Sequence, residues 1–292
     1  MTRPSISVML SAPGSVPVAD VGAYARHVEA VGLDGVFVAD HLVATRPILD
    51  SVATLAAVAA VTERVRVGFG VMVPALRPVA WAAKQVATLQ LLSGGRVILG
   101  VGTGGEAHGS AGWEAAGIPY AERGRRTDAA LAALPGLIAG GGGLAPAADV
   151  PPIWVGGGSP AALRRAVAHG AAWFPSMVLA DAVAEGASRL GELAAAAGRQ
   201  PPAVAVGGFA LLDEAAAGGS ALERLAAGLA AYGVPPDRAA RLPVAGPPEA
   251  AAERFAEYAR AGAGHLVLNV AGADWRRQCE LIAEARSLLR PG

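Results

Sequence analysis

Apolar residues along this chain follow two alternating rhythms. Short, nearly continuous apolar runs occupy residues 5–10, 35–40, 66–73, 97–101, 152–156, 171–175, 202–212 and 264–270. Each has the length of a strand, and its unbroken apolar character suits a strand buried on both faces. Between these runs, apolar residues recur at three- and four-residue spacing, which predicts helices with one buried face. Val21, Tyr24, Ala25, Val28 and Val31 mark the first helix, with Asp20 as its expected cap and Gly32 as its stop. Asp50 or Ser51 opens a second that runs to 61, and Pro78 starts a third that ends near 92. Ser159 and Pro160 open a helix to about 169, and further helices are predicted over 122–139, 181–197, 221–232, 248–261 and 274–289.

Eight strands alternating with helices predict a parallel sheet closed into a (β/α)8 TIM barrel rather than an open doubly wound sheet. The expected domain organisation is one barrel spanning residues 1–292. The run Gly140 to Gly143 could pass for a linker, but a cut there would leave four strands on each side.

Composition then narrows the chemistry. Hydrophobic residues make up 53% of the chain, yet no apolar run nears the roughly 20 residues of a membrane span. The first strand is too short for the core of a signal peptide, so the expectation is a cytoplasmic protein. The 24 basic and 24 acidic side chains cancel and form no block, which argues against nucleic acid or an anionic membrane as partner. Cys279 is the only cysteine, and no His/Cys/Asp/Glu spacing matches a metal site. Lys84 is the only lysine. It lies within a helical pattern, which all but closes Schiff-base chemistry from a strand-borne lysine.

In such a barrel the chemistry sits at the C-terminal ends of the strands. Asp40 and His41 close the second strand. Gly102, Thr103 and Gly104 follow the fourth, with Glu106 and His108 beyond them. Gly156, Gly157, Gly158 and Ser159 form the turn after the fifth, Ser176 and Met177 follow the sixth, and Asn269 closes the eighth. His265 enters the eighth strand and belongs at the opposite end. The turn after the fifth strand is the best anion site, because glycines let the backbone approach closely and the next helix presents free N–H groups. His41 with Asp40 is an acid–base candidate, and Glu106 is a proton donor if its pocket raises its pKa. Arg123, Arg125 and Arg126 are expected on a solvated face or paired with carboxylates such as Glu122 and Asp128.

Four segments, GVFVADH (35–41), LSGGRVILGVGTG (92–104), GIPYAERG (117–124) and PPIWVGGGSPA (151–161), together resemble the bacterial luciferase-like flavin oxidoreductases, and the resemblance runs in order through nearly the whole chain. The compact form is most similar to the branch that uses the deazaflavin coenzyme F420. That resemblance implies a barrel in which a non-proline cis peptide at the end of strand three backs the flavin ring; the matching bond is Gly70–Val71, or Val71–Met72 if the register differs by one. It implies His41 near the reactive ring carbon and Gly156, Gly157, Gly158 and Ser159 around the coenzyme phosphate, with Ser176 and Met177 beside them. It also implies coenzyme contacts for Asp40, Gly70, Val71, Gly102, Thr103 and Gly104. Glu106 resembles the strand-four glutamate of deazaflavin-dependent sugar-phosphate dehydrogenases, displaced by Gly105. Those relatives carry a tryptophan where this chain has Thr45, and they bind substrate phosphate through lysines absent here, so a sugar phosphate is not the expected substrate.

The activity so implied is hydride transfer between F420 and a small organic substrate. The alternatives are an FMN-dependent monooxygenase that uses O2 and reduced flavin from a separate reductase, and a flavin-binding barrel without turnover. The resemblance also implies a possible homodimer. The loop over 108–119, with Trp113, is expected to line or cover a pocket for a neutral substrate.

Overall fold

The computed structural model describes residues 3–10, 20–44, 47–105, 109–212, 220–272 and 274–289. Seven of its strands match the expected runs in order: β1 Ser5–Met9, β2 Gly35–Val38, β3 Arg66–Phe69, β4 Val97–Val101, β5 Ile153–Gly156, β6 Ala172–Phe174 and β7 Ala203–Leu212. The eighth expected strand is β9, Ala263–Val270. These eight pair in parallel in the order β1 to β7 and then β9, and the β9–β1 pairing closes a (β/α)8 TIM barrel.

An additional strand, β8 at Val244–Gly246, was not expected. It pairs with Ala210, Leu211 and Leu212 of β7, beyond the point where β6 pairs. A three-residue run is too short to stand out from a helix-rich stretch by periodicity. The outer helices are α1 Val21–Ala30, α2 Ser51–Ala60, α3 Val79–Leu92, α4 Ala111–Ala115, α5 Arg123–Ile138 and α6 Pro160–His169. They continue with α7 Ala180–Ala196, α8 Ser220–Ala231, α9 Pro236–Arg241, α10 Pro248–Arg260 and α11 Trp275–Ser287. The short helices α4 and α9 were also unexpected. Asp50, Ser159 and Asp274 cap α2, α6 and α11 through their side chains, whereas Asp20 makes no such bond to α1.

Alternation along each strand sorts its side chains into two cores. Residues such as Val36, Val67, Leu99, Val155 and Leu268 point outward and pack under the helices. Met9, Phe37, Ile98, Trp154, Phe174, Ala205 and Val267 point inward and fill the barrel. Phe37 stacks on Trp154 with centroids 5.6 Å apart, and Phe174 meets Trp154 edge-on at 5.3 Å. The result is a solid aromatic floor below the C-terminal mouth.

The expected third strand, 66–73, stops at Phe69. Gly70 N–H still donates to the Val38 carbonyl at 2.7 Å, but two residues later Met72 N–H donates to Gly100 on β4 at 2.8 Å. The chain thus changes partner strand within Gly70 and Val71, and a bulge forms at the mouth.

The N-terminal end is closed by polar groups that satisfy one another. Arg96 donates to the carbonyls of Ala59, Thr62, Val65 and Ser93 and to the Thr62 hydroxyl. The Glu29 carboxylate accepts the N–H groups of Glu63, Arg64 and Val65. Burial raises its pKa, but these N–H donors outweigh burial and lower it. His265, near the start of β9, lies toward this end as expected, with Nε2 2.7 Å from Ser7 Oγ. Burial, aided by Arg286 and Arg66, pushes its pKa down to about 4.

Candidate active site

Three glycines make room for the bulge. The Gly70–Val71 peptide is cis, at the position the resemblance implied. A Cβ on Gly102 would lie 2.4 Å from Val71 Cγ2, and one on Gly156 3.1 Å from Val71 Cγ1. A Cβ on Gly100 would come 2.0 Å from the Phe69 carbonyl oxygen. Val71 is half-buried. It therefore projects from a wall of β3, β4 and β5 whose inward positions at this height carry no side chains.

Beside this wall, Asp40 is buried and fully engaged. Oδ1 accepts the Ser51 hydroxyl at 2.7 Å, Oδ2 accepts Val73 N–H at 2.9 Å, and Arg77 Nη2 lies 2.8 and 2.7 Å from the two oxygens. The carboxylate ties the end of β2 to the segment that leaves the bulge and to the start of α2. Arg77 carries no local signal for this role, since it lies 37 residues away in sequence. His41, on the inward side of the same strand end, is half-buried. It lines a concavity with Leu76, Gly104, Gly109 and Trp113.

The turn after β5 is a glycine turn capped by Ser159 at the start of α6. Ser159 accepts Ala162 N–H at 3.2 Å and Pro160 begins α6. Gly157 has φ of 106°, a left-handed conformation that a side chain would strain. Its carbonyl accepts Trp173 Nε1–H at 2.8 Å, which fixes the turn to β6. Gly157, Gly158 and Ser159 are exposed. Ser176 bridges to Gly207 on β7, and Met177 has φ of 55°, uncommon for a residue with a side chain.

Gly104 has φ of 73° and abuts the Trp113 ring, so the strand-four exit packs directly on α4. Trp113 is buried with Val73, Ala75, Leu76, Ile118 and Tyr120. It thus lines the concavity at its inner edge. Glu106 and His108 lie outside the described residues. Arg125 pairs with Glu122 at 3.0 Å, while Arg126 Nε donates to the Ala75 carbonyl at 2.9 Å and braces the post-bulge segment. Val71 thus packs against both Gly102 and Gly156, and His41 and Gly104 share one concavity. Gly100 was the contact that sequence reasoning missed. Its two-residue spacing from Gly102 on one strand face was the available signal.

This chain belongs to the luciferase-like monooxygenase family, whose model matches residues 1–232. It is 38% identical over 135 residues to an uncharacterised protein of Mycobacterium tuberculosis, covering 41% of this chain and 46% of that one. It is 44% identical over 90 residues to an F420-dependent glucose-6-phosphate dehydrogenase of Amycolatopsis mediterranei, covering 29% of this chain and 27% of that one. The chain thus spans less than half the length of these curated relatives. An F420-dependent secondary alcohol dehydrogenase, solved with an F420–acetone adduct, shares the fold at a TM-score of 0.86 and 18% identity, covering 99% of this chain and 100% of that one. No described helix is long and apolar enough to cross a membrane.

Proposed function

We propose that this protein is a coenzyme F420-dependent oxidoreductase that moves a hydride between the deazaflavin and a small organic substrate. The observation that carries this reading is the Val71 bulge set against Gly100, Gly102 and Gly156 at the mouth, with His41 in a concavity bordered by Val73 and Gly104 of the same strand exits. A planar three-ring system needs such a wall, and the glycines let Val71 seat against β4 and β5 as its backing. Gly156, Gly157, Gly158, Ser159 and the start of α6 suit the coenzyme phosphate. Ser176 and Met177 flank that turn, and Thr103 with Gly104 borders the ring wall. The relatedness to an F420-dependent dehydrogenase supports the deazaflavin over FMN.

When bound, the deazaflavin supplies two-electron hydride chemistry. The protein's own part is to bind, orient and protonate. Val71 and the glycines would back the ring, and Asp40 keeps the bulge in place through Val73 N–H and Arg77. The His41 imidazole gives or takes the proton on the substrate oxygen. Glu106 is the second candidate for that proton.

Titration with F420 and with FMN, read by tryptophan fluorescence and by the melting curve, tests this reading. F420 is expected to bind at micromolar concentration and FMN more weakly. Binding of FMN alone would turn the reading to the FMN-dependent monooxygenase, and binding of neither would overturn it. His41→Ala is expected to bind F420 as the parent does and to lose on the order of 100-fold in kcat. Glu106→Gln measures the share of the second candidate. If both variants keep full turnover, the acid–base assignment is wrong.

A further inference from the structure

The ring wall of β3, β4 and β5 has an opposite side, and that side is built differently. In the closed order β1 to β7 and then β9, β9 lies four strands from β4 in either direction. Val267 on β9 belongs to the inward core, so Asn269, two residues on, also faces inward, at the mouth and across from Gly100 and Gly102. It is half-buried, and its Nδ2 donates to the Gly208 carbonyl at 3.3 Å. That bond uses one amide hydrogen. The second hydrogen and Oδ1 have no further bond among the described residues. The neighbouring wall is apolar: Phe209, in register with Asn269, and Met177 pack against the cluster of Leu179, Leu229 and Leu242. The described inward positions around the rim, including His41, Gly102, Gly156, Ser176 and Phe209, carry no carboxylate, lysine or arginine.

We infer that Asn269 is a substrate-positioning residue, whose amide binds the oxygen of a small neutral carbonyl or alcohol held between the ring wall and the Phe209–Met177 side. This rests on the proposed deazaflavin reading. One polar group in an apolar wall fixes orientation, because a ligand lacking a matching oxygen leaves the amide unpaired and an anion finds no lysine or arginine among the described inward residues. An amide with both a donor and an acceptor serves a ketone and its alcohol alike. His41, two strands from Asn269 around the ring with β1 between, then approaches the same oxygen from the other side.

Ligand-observed NMR on the F420-loaded protein, with cyclohexanone, cyclohexanol, cyclohexanecarboxylate and glucose 6-phosphate as probes, tests the inference. The two neutral probes are expected to bind and the two anions not. Asn269→Leu is expected to weaken both neutral probes about fivefold, the worth of one hydrogen bond, with F420 affinity unchanged. Asn269→Gln, which keeps the amide on a longer stem, is expected to recover part of the loss. The inference is overturned if the Leu variant binds cyclohexanone as the parent does, if an anion binds better, or if neither neutral probe binds the parent. Failure of F420 itself to bind sinks the coenzyme reading instead, and the same probes on the coenzyme-free protein still report on Asn269.

Discussion

The two ends of the barrel treat their polar groups in opposite ways. At the N-terminal end, Arg96, Glu29 and the His265–Ser7 pair are engaged by backbone or by one another. At the C-terminal mouth, Asn269 faces inward, half-buried and with bonding capacity left over among the described residues, while the inward positions of β3 to β5 at that height are glycine. Asp40 is the instructive exception. It stands at the mouth but points outward, and like the residues of the other end it is fully bonded. What separates the two roles is therefore which side of the strand a residue occupies as well as which end. Saturated polar groups hold the barrel closed, whereas Asn269 on the inward mouth keeps bonding capacity for a ligand.

This contrast breaks first at the bulge. Gly100→Ala would place a Cβ against the Phe69 carbonyl, which is backbone and cannot swing away. The expected loss is upwards of ~3 kcal/mol or failure to fold, measured by chemical denaturation. If the variant is as stable as the parent, the glycine wall is not a packing requirement. Next is Arg96→Met, which leaves the carbonyls of Ala59, Thr62 and Val65 without their cation. A loss of about 2–4 kcal/mol is expected, with F420 affinity unchanged below the melting range. A binding defect instead would place Arg96 in the wrong class.

The pH dependence of stability sharpens the contrast at the closed end. His265 has a pKa near 4 in the folded barrel against 6.5 in a free chain, so between those values the unfolded chain holds a proton that the folded one refuses. Stability should fall as pH drops through that window, by a few kcal/mol at most, approximately following one proton. Denaturation of His265→Gln at pH 7 and pH 4.5 checks this, because the substitution should flatten the slope. The smallest effect is expected at Ser159→Ala, which removes the cap of α6 and costs about 1 kcal/mol. A drop of a few-fold in F420 affinity, with FMN and F420 compared side by side, would show that the cap also serves the anion.

Much of this arrangement was written locally. The β2 to β5 runs and their glycine-rich exits placed Asp40, His41, Gly102 and Gly156 at strand ends, because strand length and direction follow from short apolar runs. The register of the bulge was less legible. An apolar run over 66–73 reads as one strand, and only the bonds to Val38 on one side and Gly100 on the other show that it ends at Phe69. The excursion after β7 was read as helix alone, since β8 is three residues long and gains its identity from pairing with β7.

By itself, then, the sequence determined an alternating βα chain with glycines and titratable groups at the strand ends, because these depend on patterns within ten or twenty residues. The tertiary structure decided which of those groups meet. Val71 nests among glycines from two other strands, Arg77 neutralises Asp40 from beyond the bulge, and Asn269 faces Gly102 only because the barrel closes. Each is a relation between strands, and its geometry is set by register and closure, which no local periodicity encodes.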